Sequence, residues 1–209
     1  MLPRLFFLIA ALSSSMSVQA TLIDFTHISW DTAINTGGGT TATIGNVTLT
    51  SSRRNLTFNG SESEQSGCAA GKVKHGLKCD GDGIGIKDDE ITHGRHGRYE
   101  KLTISFVEPV NINNLLLLDL FGNERRRGER AIINGSSYQA LPDNDGFPGG
   151  FYATGFSAQG ITSIMLTAGK DRFSDYALAA IDVSPVPLPG AFVLFASALL
   201  GLFGFRRFT

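Results

Sequence analysis

Leu102-Thr103-Ile104-Ser105-Phe106 alternates apolar and polar side chains without a break. A period of two puts Leu102, Ile104 and Phe106 on one side of an extended chain, and Thr103 and Ser105 on the other. One face is then buried and the other wet, as in a strand of an antiparallel sheet. Outward from this stretch, residues 112–118 form an apolar run too short for a helix, and read as a buried strand. Residues 42–49 predict a strand that turns Ile44, Val47 and Leu49 to one side, with Gly45-Asn46 as a bulge. Residues 22–28, 131–133, 150–154, 161–167 and 176–183 predict further strands. Turn chemistry separates them: Asn134-Gly135, Pro142-Asp143-Asn144-Asp145-Gly146 and Pro148-Gly149-Gly150. No sustained 3.6-residue periodicity interrupts the pattern. Short strands with frequent turns predict an all-β domain, an antiparallel β-sandwich of jelly-roll-like form.

Both ends of the 209-residue chain read as processing segments flanking this domain. In residues 1–20, Arg4 supplies a positive start and residues 5–12 an apolar run. Val18-Gln19-Ala20 puts small residues where a signal peptidase reads them, so cleavage is expected after Ala20 and maturation at Thr21. Residues 21–185 make one domain, long enough to bury a core. Three of the chain's 18 Lys+Arg (Arg4, Arg206, Arg207) and none of its 19 Asp+Glu lie in the end segments. The domain is therefore more acidic than the whole chain, which argues against nucleic acid as a partner. The two cysteines, Cys68 and Cys79, both fall in the exported part. An oxidising compartment predicts a disulfide between them; the alternative, a metal pair, has no further ligands to complete a zinc site.

Residues 186–209 form the tail. Val186-Pro187-Leu188-Pro189 cannot join a sheet interior and reads as an extended spacer. Residues 190–205 are uncharged and rich in Leu, Phe and Ala. As a helix they span about 24 Å, short of a ~30 Å hydrocarbon core, so they cross with thinning or snorkelling. Arg206 and Arg207 would hold the C-terminus in the cytoplasm and leave the domain outside. This tripartite tail resembles the PEP-CTERM sorting signal, with Pro187-Leu188-Pro189 in place of the usual Pro-Glu-Pro. The resemblance implies a Gram-negative bacterium, processing by an exosortase near the proline motif, and a place at the cell surface or in an exopolysaccharide or biofilm matrix. The domain also resembles uncharacterised β-rich domains of such proteins, through Gly81-Asp82-Gly83-Ile84-Gly85 with Asp88-Asp89-Glu90, residues 102–106 and Leu117-Leu118-Asp119-Leu120-Phe121. That second likeness implies no activity. An ordinary membrane anchor remains the other reading of the tail.

Residues 59–98 are Gly-rich, charged and too long for an ordinary connection. Within them Asp80, Asp82, Asp88, Asp89 and Glu90, interleaved with glycine, form a candidate calcium site, because calcium takes six to eight oxygens. The EF-hand pattern fails at Ile84, and the same residues serve a plain solvated turn. His93 and His96, with His75, offer imidazoles but no complete ligand set. Arg125-Arg126-Arg127 reads as a solvated loop. Trp30, Tyr99, Tyr138, Phe147, Phe151 and Tyr152 offer rings for sugar stacking or for the core. There is no nucleophile elbow and no zinc-protease motif, so no enzyme is expected. A polysaccharide hydrolase would need two facing carboxylates that sequence cannot place. The expected function is that of an exported surface or matrix protein, structural or weakly glycan-binding. Calcium is the one candidate cofactor, and a calcium-dependent carbohydrate-binding module is the alternative.

Overall fold

The computed structural model describes residues 19–60, 68, 76–87, 89–94, 98–122, 128–140, 150–170 and 174–186. In chain order they form β1 (Thr21–Asp24), α1 (Ser29–Thr36), β2 (Thr41–Ile44), β3 (Val47–Ser51), β4 (Leu56–Gly60), β5 (Gly81–Ile86), β6 (His93–Gly94), β7 (Arg98–Tyr99), β8 (Leu102–Leu118), β9 (Arg130–Ile133), β10 (Ser136–Gln139), β11 (Tyr152–Ala153), β12 (Ala158–Ala168) and β13 (Ala177–Pro185). Among the described residues the fold is all-β apart from one short helix. Every strand pairing described is antiparallel. Eleven strands curl into one sheet along the path β10-β9-β12-β8-β13-β5-β4. β1 adds to β13, β3 and β11 to β8, and β2 to β3, while β6 and β7 make a separate ribbon.

The two stretches 102–106 and 112–118 belong to a single 17-residue strand, β8. Its first part pairs with β3 and β12, through Leu49↔Ile104 and Ile164↔Ile104. Its second part pairs with β13, through Leu117↔Leu178. Leu102, Ile104 and Phe106 are buried as their alternation demands. Alternation stops at Leu115 because both faces are covered there. Leu115 and Leu117 enter the main core with Leu178, Ile181 and Tyr176. Leu116 and Leu118 enter a second, smaller cluster with Cys68, Phe151 and the alanines of β13. A strand covered on both sides reads as a continuous apolar run.

On the wet side, register aligns Thr41, Thr50, Thr103 and Met165 across β2, β3, β8 and β12. A second row aligns Thr43, Thr48, Ser105 and Ser163 on the same four strands.

Three local expectations change. Gly45-Asn46 is not a bulge in one strand: Ile44 pairs with Val47, so the two residues turn a hairpin. Gly45, at φ +58°, takes the position that a two-residue turn of the II′ kind gives to glycine. The first strand ends at Asp24, and the chain enters helix α1, which buries Trp30, Ala33 and Ile34. Phe25 and Trp30 meet at 5.0 Å between ring centroids. The acidic, glycine-rich stretch is not all loop, since Gly81–Ile86 is strand β5, buried along its whole length.

Candidate functional site

The densest polar construction in the described residues lies where β1 leaves the sheet. Asp24 Oδ1 accepts the backbone N–H of Thr26 at 2.8 Å and the Thr26 hydroxyl at 2.6 Å, an Asx-type turn. Its Oδ2 accepts the N–H of Lys78 at 2.7 Å. Thr26 Oγ1 accepts the N–H of Cys79 at 3.0 Å, and the Thr26 carbonyl accepts the N–H groups of Asp80 and Gly81. Asp80 Oδ2 accepts the N–H of Ile28 at 3.0 Å, at the entrance to α1. Asp82, 1% exposed, accepts the N–H of Cys68 at 2.5 Å. Two carboxylates, Asp24 and Asp82, thus serve backbone amides of the segment that the Cys68–Cys79 disulfide closes, and a third, Asp80, directly after that segment, ties it to the entrance of α1. An anion that accepts N–H groups needs no counter-cation to be satisfied when partly buried.

Beside this network opens a cleft of about 540 Å³. Leu22, Ile23, Ile44 and Val47 supply apolar lining, and Asp24, His27, Ser29, Asn46 and Lys78 supply polar groups. His27 Nδ1 accepts the N–H of Ser29 at 3.1 Å and lies 2.8 Å from the Ser29 hydroxyl. These are contacts two residues apart that shape the turn into α1. Trp30 also borders the cleft, but it is 2% exposed and its Nε1 donates to the Asp24 carbonyl at 3.0 Å. Its ring belongs to the core and offers no stacking face.

The residues singled out from sequence fall in different places. Cys68 and Cys79 are joined by a disulfide. Asp80 and Asp82 point into the amide network just described. Asp89 and Glu90 are half-buried beyond the end of β5, where the Glu90 carbonyl accepts the N–H of Ile86. Asp88 lies outside the described residues. Among the described residues no group of three or more His, Cys, Asp or Glu converges as a metal centre requires. His93 packs edge-on against Tyr99 in the β6–β7 ribbon, with ring centroids 4.7 Å apart. Phe151 is buried, and Tyr138 packs edge-on against Phe156. His75, His96, Phe147 and Arg125 to Arg127 lie outside the described residues, as do Pro187, Leu188, Pro189, Arg206, Arg207 and the apolar segment 190–205. No helix among the described residues is long and apolar enough to cross a membrane. Ala20 and Val186 are described and exposed, one just before β1 and the other just after β13.

Sequence reasoning passed over Asp24, Thr26 and Lys78. Asp-x-Thr after an apolar strand is an Asx-turn pattern, and it could have marked the first two. Comparison of the chain with protein-family models, curated proteins and solved structures finds no match.

Proposed function

We infer that this chain is an exported surface protein of a Gram-negative envelope, sorted by an exosortase and retained in exopolysaccharide or biofilm matrix. The observation that carries the reading is the Cys68–Cys79 disulfide, which pairs both cysteines of the chain. Such a bond persists in oxidising compartments and is rare in the cytosol. The element boundaries support it: β1 begins at Thr21, next to the expected cleavage after Ala20, and β13 ends at Pro185, where the proline spacer starts. Signal peptidase acts first, the apolar tail helix holds the protein in the inner membrane, and the exosortase cuts near Pro187-Leu188-Pro189. The curled sheet is taken as a jelly-roll-like sandwich in which β8 serves both layers. Its role is structural, with weak glycan binding, and involves no catalysis.

The test is processing in the native host. Mass spectrometry of surface or released protein should begin at Thr21 and contain no peptide from Phe192 onward. Replacing Pro187 and Pro189 with alanine should leave uncleaved protein in the inner membrane. An intact tail on mature surface protein would reduce the reading to a plain anchor.

A further inference from the structure

We propose that the wet face of β2, β3, β8 and β12 binds an extended, neutral polysaccharide chain laid across the strands. The proposal rests on the matrix reading above and names the class of glycan and the surface that meets it. Seven of the eight positions in the two aligned rows carry hydroxyls, and none carries a charge. Thr43, Thr50 and Ser163 are exposed, and the other five positions are half-buried. Cross-strand threonines commonly stabilise a sheet by bonding one another. Here only Thr43 and Thr48 do so, at 3.0 Å between hydroxyls. The hydroxyls of Thr41, Thr50, Thr103, Ser105 and Ser163 bond to no other described residue. Each is both donor and acceptor, and so matches a sugar hydroxyl in either sense.

The spacing favours a polymer. Neighbouring strands lie about 4.8 Å apart, and alternate residues along a strand about 6.8 Å apart. The inter-strand step is close to one pyranose unit of an extended chain, so one sugar falls over each strand with a hydroxyl from each row beside it. Four of the seven hydroxyl residues are threonines on β2 and β3, whose branched Cβ limits χ1 and fixes the array before binding. Within the two rows an anionic polymer finds no charge to pair with; the exposed Lys101, in phase with Thr103, stands outside them just before β8. The burial of Trp30 removes ring stacking as a competing mode at the neighbouring cleft. Each contact is a single weak hydrogen bond, so affinity comes from many units at once.

The full-length chain, purified in mild detergent, is mixed with insoluble cellulose as the neutral polymer and with alginate gel as the anionic one. Retention on cellulose that persists in high salt is expected, with little on alginate. The triple variant Thr41→Val, Thr50→Val, Thr103→Val keeps the branched shape and removes hydroxyls. It should lower retention about tenfold, whereas serine at the same three positions should keep it within about twofold. If the valine variant shifts the melting temperature, Ser105→Ala with Ser163→Ala tests the other row in the same way. Undiminished retention in the hydroxyl-less variants overturns this face as the site while leaving glycan binding intact. Retention on alginate alone overturns the neutral class and leaves the matrix reading standing. Retention on neither polymer overturns the proposal, and the processing test still decides the matrix reading separately.

Discussion

Asp24 anchors one bend through both of its oxygens, and that makes it sensitive to a change of a single atom. Asparagine replaces one acceptor oxygen by an NH2 group. Whichever way the amide is turned, either the Lys78 N–H or the Thr26 donors then face a donor. Asp24→Asn should destabilise the domain by about 1–3 kcal/mol in urea unfolding, since an orphaned donor keeps its desolvation cost. Tyr176 gives a second test at this scale. It is fully buried, its hydroxyl donates to the Thr167 carbonyl at 2.9 Å, and burial pushes its phenol far above the ordinary value. Tyr152 is raised in the same direction, by burial and then by neighbouring Tyr138. A phenol whose pKa is higher in the folded than in the unfolded chain contributes full stability below the unfolded value. That contribution is lost as pH rises through and beyond about 10. Urea melts between about pH 8 and 11.5 should therefore show alkaline loss of stability, with a shallower slope in Tyr176→Phe. At neutral pH the same substitution should cost about 1 kcal/mol through the lost hydrogen bond.

At the scale of elements, β5 shows why glycine is read two ways. A Cβ at Gly81, Gly83 or Gly85 would collide with the carbonyl oxygens of Asn59, Leu178 and Asp89 respectively. The backbone of both neighbouring strands, β4 and β13, and of the segment after β5 thus approaches too closely for side chains at these glycines, and the side chains of the strand are those of Asp82, Ile84 and Ile86. Gly83 also has φ +111°, open to glycine and strained for any other residue. Gly83→Ala should cost about 3 kcal/mol or more, from overpacking and strain together, measured by chemical denaturation. The composition of this strand matches that of turns, so it was legible only in the alternation of Ile84 and Ile86. The halves of β8 were legible because Leu102 to Phe106 alternate and Leu115 to Leu118 do not, each for a physical reason the fold supplies. Their union in one strand was hidden, because Pro109 and Asn111 look like a break. Helix α1 was hidden because two turns turn only Trp30, Ala33 and Ile34 inward, too few to establish a period. The amide network was hidden for a simpler reason: it joins Asp24 to Lys78 and Asp82 to Cys68, and only the folded chain brings these together.

Across the whole molecule, the disulfide ties two stretches of chain to the smaller apolar cluster. Cys68 is 2% exposed and packs with Leu116, Leu118 and Phe151, and Leu22, Leu77 and Cys79 pack against the same cluster. The bridge spans 11 residues, so the chain-entropy account gives about 2–3 kcal/mol for it. Thiol labelling of exported protein without reductant should modify neither cysteine. A reduced protein, or Cys68→Ser with Cys79→Ser, should lose about that much stability and expose the apolar side of β8 and β13 to a hydrophobic dye. Labelling of either cysteine in the unreduced protein would refute the bridge.

The pairing of β1 with β13 aligns Thr21 with Val183, so the first strand of the domain is held by the last. A chain synthesised from its N-terminus presents β1 long before β13 exists to receive it. The same late strand is the neighbour of β5 and of the second part of β8. Assembly therefore cannot proceed progressively along the chain. It waits for a closure of high contact order, and such closures are slow. Until then, three strands stand with open edges, the condition in which β-rich chains stick to one another. A chain broken off before Ala177 would lack the closing strand and accumulate in that state, which makes the completed C-terminal end a requirement of solubility as well as of shape.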